Sequence, residues 1–142
     1  MQTLTRNRKI DSERNREITE RNRQLAMRVS TGDREAREQM ILLNLDLVHS
    51  IAHWYADNTS IPYEDLSQEG NIGLIRAVER YSADRGVSFG SFATIWISNR
   101  IKRSIHTQGR NVRVSIKESP KHTFATSEIN GDIHIDKPDH TE

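Results

Sequence analysis

Apolar residues recur at helical spacing in three stretches of this chain and thin out at both ends. From Ala36 to Tyr55, Met40, Ile41, Leu43, Leu45, Leu47, Val48, Ile51, Ala52 and Tyr55 form a wide apolar arc, and Asp46, His49, Ser50 and His53 line the remaining face. That spacing predicts one central core helix. From Tyr63 to Tyr81 a second stripe runs through Leu66, Gly70, Gly73, Leu74, Ala77, Val78 and Tyr81. From Ser88 to Gln108 a third runs through Phe89, Ala93, Trp96, Ile97, Ile101, Ser104 and Ile105, while Phe92, Ile95, Asn99, Lys102, Arg103 and His106 fall on the opposite side.

The opening third is poor in apolar residues, and Ile18, Leu25 and Val29 share a face only if it is helical. It repeats the triplet Arg-Asn-Arg at positions 6, 14 and 21. A solvated helix is expected there, ended by the turn Ser30-Thr31-Gly32-Asp33, where Asp33 is placed to cap the next helix. Pro62 prepares the helix beginning at Tyr63, and Gly109 suits a C-cap for the last one. Beyond Lys117 no helical period remains. Apart from a short alternation at Ile133-His134-Ile135, an acidic, unfolded tail is expected. The prediction is an all-α fold, a small helical bundle with a disordered C-terminal tail.

Length and composition narrow the function. A chain of 142 residues, 34% hydrophobic and 29% charged, suits one domain with a modest core. It has no cysteine, which excludes disulfides and thiolate metal sites, and no apolar run long enough to span a bilayer. A cytoplasmic location with no membrane partner follows as an expectation. The net charge of +1 hides a segregation: residues 39–80 hold 2 basic and 6 acidic side chains, whereas residues 81–117 hold 7 and 1. A basic stretch beside an acidic one predicts two partners, one of them a polyanion.

The chemistry-bearing residues follow this division. Aromatic rings interleaved with cations over 86–114 suit opened nucleic acid, whose phosphates need neutralising and whose unpaired bases stack on rings. A core helix with a basic outer face stays open as the plainer alternative. Asp65, Gln68, Glu69, Asn71, Ile72 and Ile75 form a mixed patch suited to a protein interface. Gly70 and Gly73, costly inside a helix, imply close approach of another backbone. His49 and His53 stand four apart, a zinc-binding spacing, but no third ligand accompanies them, so two surface histidines are expected.

Four segments, AREQMILLNLDLVHSIAHWY, DLSQEGNIGLIRAVERY, GVSFGSFATIWISNRIKRSI and GRNVRV, occur in an order and spacing that resembles region 2 of the sigma-70 family of bacterial transcription initiation factors. EITERNRQLAMRVSTGDREAR is similar to the family's region 1.2, and the resemblance covers roughly residues 17–117. On that basis residues 1–16 are a basic arm, 17–117 the region 1.2/region 2 domain and 118–142 the acidic tail.

The resemblance implies a non-enzymatic factor without catalytic residues, cofactor or metal. It implies docking on the clamp helices of the largest subunit of bacterial core RNA polymerase through Asp65, Gln68, Glu69, Asn71 and Ile75. It implies recognition and melting of the minus-ten promoter element, with a flipped non-template adenine held by Tyr81, Arg85, Phe89 and Phe92 beside Ser91. Where the family's primary members carry two adjacent tryptophans as a wedge, this chain has Ile95-Trp96. Asn99 and Lys102 fall where the minus-twelve pair is read, and Arg103, Arg110 and Arg113 at phosphate-contacting positions.

The 25 residues after Lys117 leave no room for the domain that reads the minus-thirty-five element. The expectation is either a short factor of phage or mobile-element type, with a separate protein supplying upstream contact, or a fragment of a longer factor. Two rivals are a sigma mimic that occupies the clamp helices without opening DNA, and a helical repressor of duplex DNA.

Overall fold

A computed structural model describes the backbone of residues 2–108 and the side chains of residues 7–108. Among the described residues five helices follow one another: α1 (Gln2–Ser30), α2 (Arg34–Leu43), α3 (Leu45–Asp57), α4 (Tyr63–Arg80) and α5 (Phe89–Thr107), with a single 3₁₀ turn (Ala83–Arg85) before the last. The expected all-helical bundle is present. The acidic tail, the Ile133-His134-Ile135 alternation, Gly109, Arg110 and Arg113 lie outside the described residues.

α1 is exposed from Asn7 to Glu17 and first meets the bundle at Ile18. Asn22, Leu25 and Ala26 are buried, whereas Ile10 and Met27 face out. It stops where the sequence predicts. Gly32 has a positive φ of 88°, and the Asp33 carboxylate accepts from the Ala36 N–H at 3.1 Å. That hydrogen bond and the Arg28 guanidinium hold the Asp33 carboxyl below its ordinary range.

The single core helix expected over 36–55 is two helices. Asn44 leaves helical geometry at φ −109° and ψ 9°. Its side-chain amide donates at 2.7 Å to the Met40 carbonyl and at 2.7 Å to the Asn22 side chain, which returns a 3.2 Å bond. This buried amide exchange with α1 offsets the broken backbone ladder. Beside the break, Leu42 is 67% exposed and Leu45 38% exposed. Leu45 therefore leaves the packing arc to which its spacing assigned it. Val48, Ile51, Ala52 and Tyr55 keep their place in the core, and burial pushes the Tyr55 phenol up to about 12.

α4 and α5 form the principal interface of the bundle. A β-carbon on Gly73 would stand 2.8 Å from the Trp96 carbonyl oxygen and 2.9 Å from the Ile97 Cα, so only glycine admits this backbone-to-backbone approach. At Gly70 the obstacle is side chain, with Val48 Cγ1 at 2.8 Å. The whole stripe from Leu66 to Val78 read from the sequence is buried against α3 and α5.

Candidate nucleic-acid and polymerase interfaces

The short link from α4 to α5 is what assembles the aromatic site. Tyr81 ends α4 in an extended conformation. The 3₁₀ turn and Gly86, at φ 70°, then reverse the chain. Ser88 caps α5 by accepting from the Ser91 N–H at 3.2 Å, and its hydroxyl donates at 2.9 Å to Ser91 Oγ. The Tyr81 hydroxyl donates at 2.6 Å to the Val87 carbonyl, which fixes the ring over the start of α5.

Around that tether the rings gather. Tyr81 lies 5.2 Å from Phe89, nearly perpendicular to it, and 5.4 Å from Phe92. Phe92 lies 5.8 Å from Trp96, and the Arg85 guanidinium carbon sits 5.9 Å from the Phe92 ring centre. The edge-to-face contact of Tyr81 with Phe89 adds to area burial. Tyr81, Arg85, Phe89, Phe92 and Trp96 are therefore brought together, while Ser91 bonds to Ser88 at the α5 cap. Burial pushes the Tyr81 phenol up, and the Arg23 charge on α1 opposes that shift.

Accessibility differs from the sequence reading. The periodicity sets Phe92 on the outer side of its helix, but it is only 3% exposed, whereas Phe89, on the packing stripe, is 1% exposed as its spacing predicts. The reason is the chain reversal: Tyr81 folds back over α5 and covers the side that an isolated helical wheel leaves open. Half-exposed Tyr81 and exposed Arg85 form the outer surface of the cluster. Trp96 is 6% exposed, and its indole N–H has no partner among the described residues. Ile95 is half-exposed, and Asn99, Lys102 and Arg103 point outward along the remainder of α5.

The second face lies on α4. Asp65, Gln68 and Ile72 are exposed there, and Glu69, Asn71 and Ile75 half-exposed. Glu69 is held at 2.7 Å by Arg100 of α5, an ion pair that joins the two faces. Arg100 carried no assignment in the sequence reading, nor did Arg23. The third Arg-Asn-Arg triplet places Arg23 only on a solvated helix, whereas the fold sets it near Tyr81.

These features define a helical module with two outward faces, one cationic and underlain by a buried aromatic cluster that only Tyr81 brings to the surface, the other acidic with exposed apolar groups. The Sigma-70 region 2 family profile matches residues 40–111, and the chain belongs to that family. Similar proteins include the RNA polymerase sigma factor RpoS of Coxiella burnetii, 48% identical over 92 residues, or 65% of this chain and 26% of that protein. The SigA sigma factor of Clostridium acetobutylicum is 44% identical over 92 residues, covering 65% of this chain and 24% of its own. SigA of a Synechocystis strain is 42% identical over 94 residues, covering 66% and 21%. The chain thus spans about a quarter of the length of these curated relatives.

Proposed function

We propose that this chain acts as a sigma-type transcription initiation factor: it binds bacterial core RNA polymerase and engages the minus-ten promoter element as opened DNA. The observation that carries the reading is the gathering of Tyr81, Arg85, Phe89 and Phe92 at the head of α5, with Asn99, Lys102 and Arg103 exposed along the same helix. Cations bind the phosphates of the non-template strand and the half-exposed Tyr81 ring offers a surface on which a base stacks. Stacking supplies about 1–3 kcal/mol per base, on the scale of the few kcal/mol needed to extrude one. Asn99 and Lys102 read the adjoining duplex, and Arg103 grips phosphate.

Docking falls to α4, where Asp65, Gln68, Glu69, Asn71 and Ile75 meet the clamp helices of the largest polymerase subunit. The site of action is the polymerase inside a bacterial cell.

The sigma-mimic reading draws support from the burial of Phe89 and Phe92 and from Ile95 at a wedge position. Run-off transcription with purified core polymerase on pre-melted and duplex promoters separates the two. Initiation requires transcripts from the pre-melted template at least. Tight core binding with no transcript from either template would leave the mimic.

A further inference from the structure

Away from both faces described above, α3 and α4 bring three rings together that neither interface uses. His49 and His53, one turn apart on α3, are both exposed on the side away from Val48, Ile51, Ala52 and Tyr55. Their ring centres lie 4.3 Å apart at an interplanar angle of 80°. Tyr63, the first residue of α4, stacks on His53 at 4.1 Å and 15°. Its hydroxyl is 2.7 Å from Nδ1 of His49.

We propose that His49 and His53 bind a divalent first-row transition cation, Zn²⁺ or a neighbour in that series, and that Tyr63 positions His49 for it.

Imidazole nitrogens four residues apart on a helix converge on one side, and neutral imidazole suits zinc, nickel and copper rather than magnesium or calcium. Metal-binding histidines commonly use one ring nitrogen for the ion and donate from the other to a fixed acceptor. The Tyr63 oxygen occupies that acceptor position: when Nδ1–H of His49 donates to it, the lone pair rests on Nε2, on the far side of the ring from the phenol.

Holding exposed side chains costs rotamer entropy. Here much of that ordering precedes binding, because the Tyr63 stack and hydrogen bond hold both imidazoles. Among the described residues no group of three or more His, Cys, Asp or Glu completes an all-protein shell. Water fills the remaining positions, so the ion exchanges readily and contributes little to the fold.

The test is calorimetric titration of the untagged chain with Zn²⁺ and Ni²⁺, with Mg²⁺ as control. The expected result is one site for Zn²⁺ and Ni²⁺, none for Mg²⁺, and loss of that site in His49→Ala and in His53→Ala. Tyr63→Phe keeps the stack and removes the hydroxyl, and should bind about tenfold more weakly. Loss of binding in the histidine variants cannot be charged to His106, His122, His134 or His140, all of which remain. On the wild-type chain, Ni²⁺ should broaden the imidazole resonances of His49 and His53 before those of His106. Absence of binding, binding that survives both alanine substitutions, or broadening that begins at His106 would overturn the site.

Discussion

Replacing Gly73 with alanine tests the tightest contact in the bundle. The added methyl would stand 2.8 Å from the Trp96 carbonyl oxygen and 2.9 Å from the Ile97 Cα, against 3.4 Å or more for ordinary contact, so α4 and α5 must part by a few tenths of an ångström. Both obstacles are backbone, and no rotamer change relieves them. Overpacking of this kind costs about 1–3 kcal/mol, and the rigid opposing surface places Gly73→Ala in the upper half. Removing a glycine from a helix interior returns about 1 kcal/mol. The net loss is about 1–2 kcal/mol, a fall in Tm of roughly 5 °C.

Gly90 is the internal control. It lies in the first turn of α5, where a β-carbon meets nothing within 4 Å. Gly90→Ala should therefore raise stability by up to about 1 kcal/mol. Gly70→Ala belongs between them, since Val48 Cγ1 at 2.8 Å and Ile101 Cδ1 at 3.3 Å are side-chain ends. Urea denaturation followed by circular dichroism gives the three values. A neutral or stabilising Gly73→Ala would refute the backbone contact, and equal effects at Gly73 and Gly90 would reduce the series to helix propensity alone.

Other substitutions probe separate parts of the account. Asn44→Ala leaves Asn22 without its buried partner and should cost about 1–3 kcal/mol by urea denaturation, whereas loss of an exposed amide would leave the midpoint unchanged. Phe92→Ala removes a buried ring and should cost about 3–5 kcal/mol, so thermal melts must accompany any DNA-binding assay of this variant. The raised Tyr55 phenol keeps its proton longer in the folded chain. Its contribution is full below the unfolded value near 10 and is lost as pH rises toward about 12; Tyr55→Phe should flatten that alkaline decline in Tm. The lowered Asp33 carboxyl behaves oppositely, stabilising at neutral pH and losing its effect as pH falls below 3.8 toward the folded value. The gap in Tm between wild type and Asp33→Ala should narrow over that acid range.

Helical periodicity carried much of the fold. The α4 stripe from Leu66 to Val78 was legible because every inward residue is apolar or glycine, and the glycines announced a close neighbour before α5 was known to be that neighbour. The break at Asn44 was not legible. Apolar residues continue on either side of it, and the signal lies in an amide exchange with Asn22, 22 residues earlier in the chain. Phe92 shows the same limit at the site. A wheel drawn for α5 alone places it outward, and only the return of Tyr81 over that side buries it. Tyr63 and its histidines likewise meet only in the fold. The family resemblance rests on ordered motifs along the chain and needed no tertiary contact to be seen.

In the proposed function α5 grips opened promoter DNA while α4 holds polymerase. The most direct test is the salt dependence of binding of a single-stranded minus-ten non-template oligonucleotide to the complex with core polymerase, compared between wild type and Arg103→Ala. Arg103 is exposed, so its loss should leave folding and core affinity unchanged. Removing one phosphate contact should weaken DNA binding and reduce the slope of log K against log salt by about 0.7. An unchanged slope and affinity, or a parallel loss of core binding, would contradict the account.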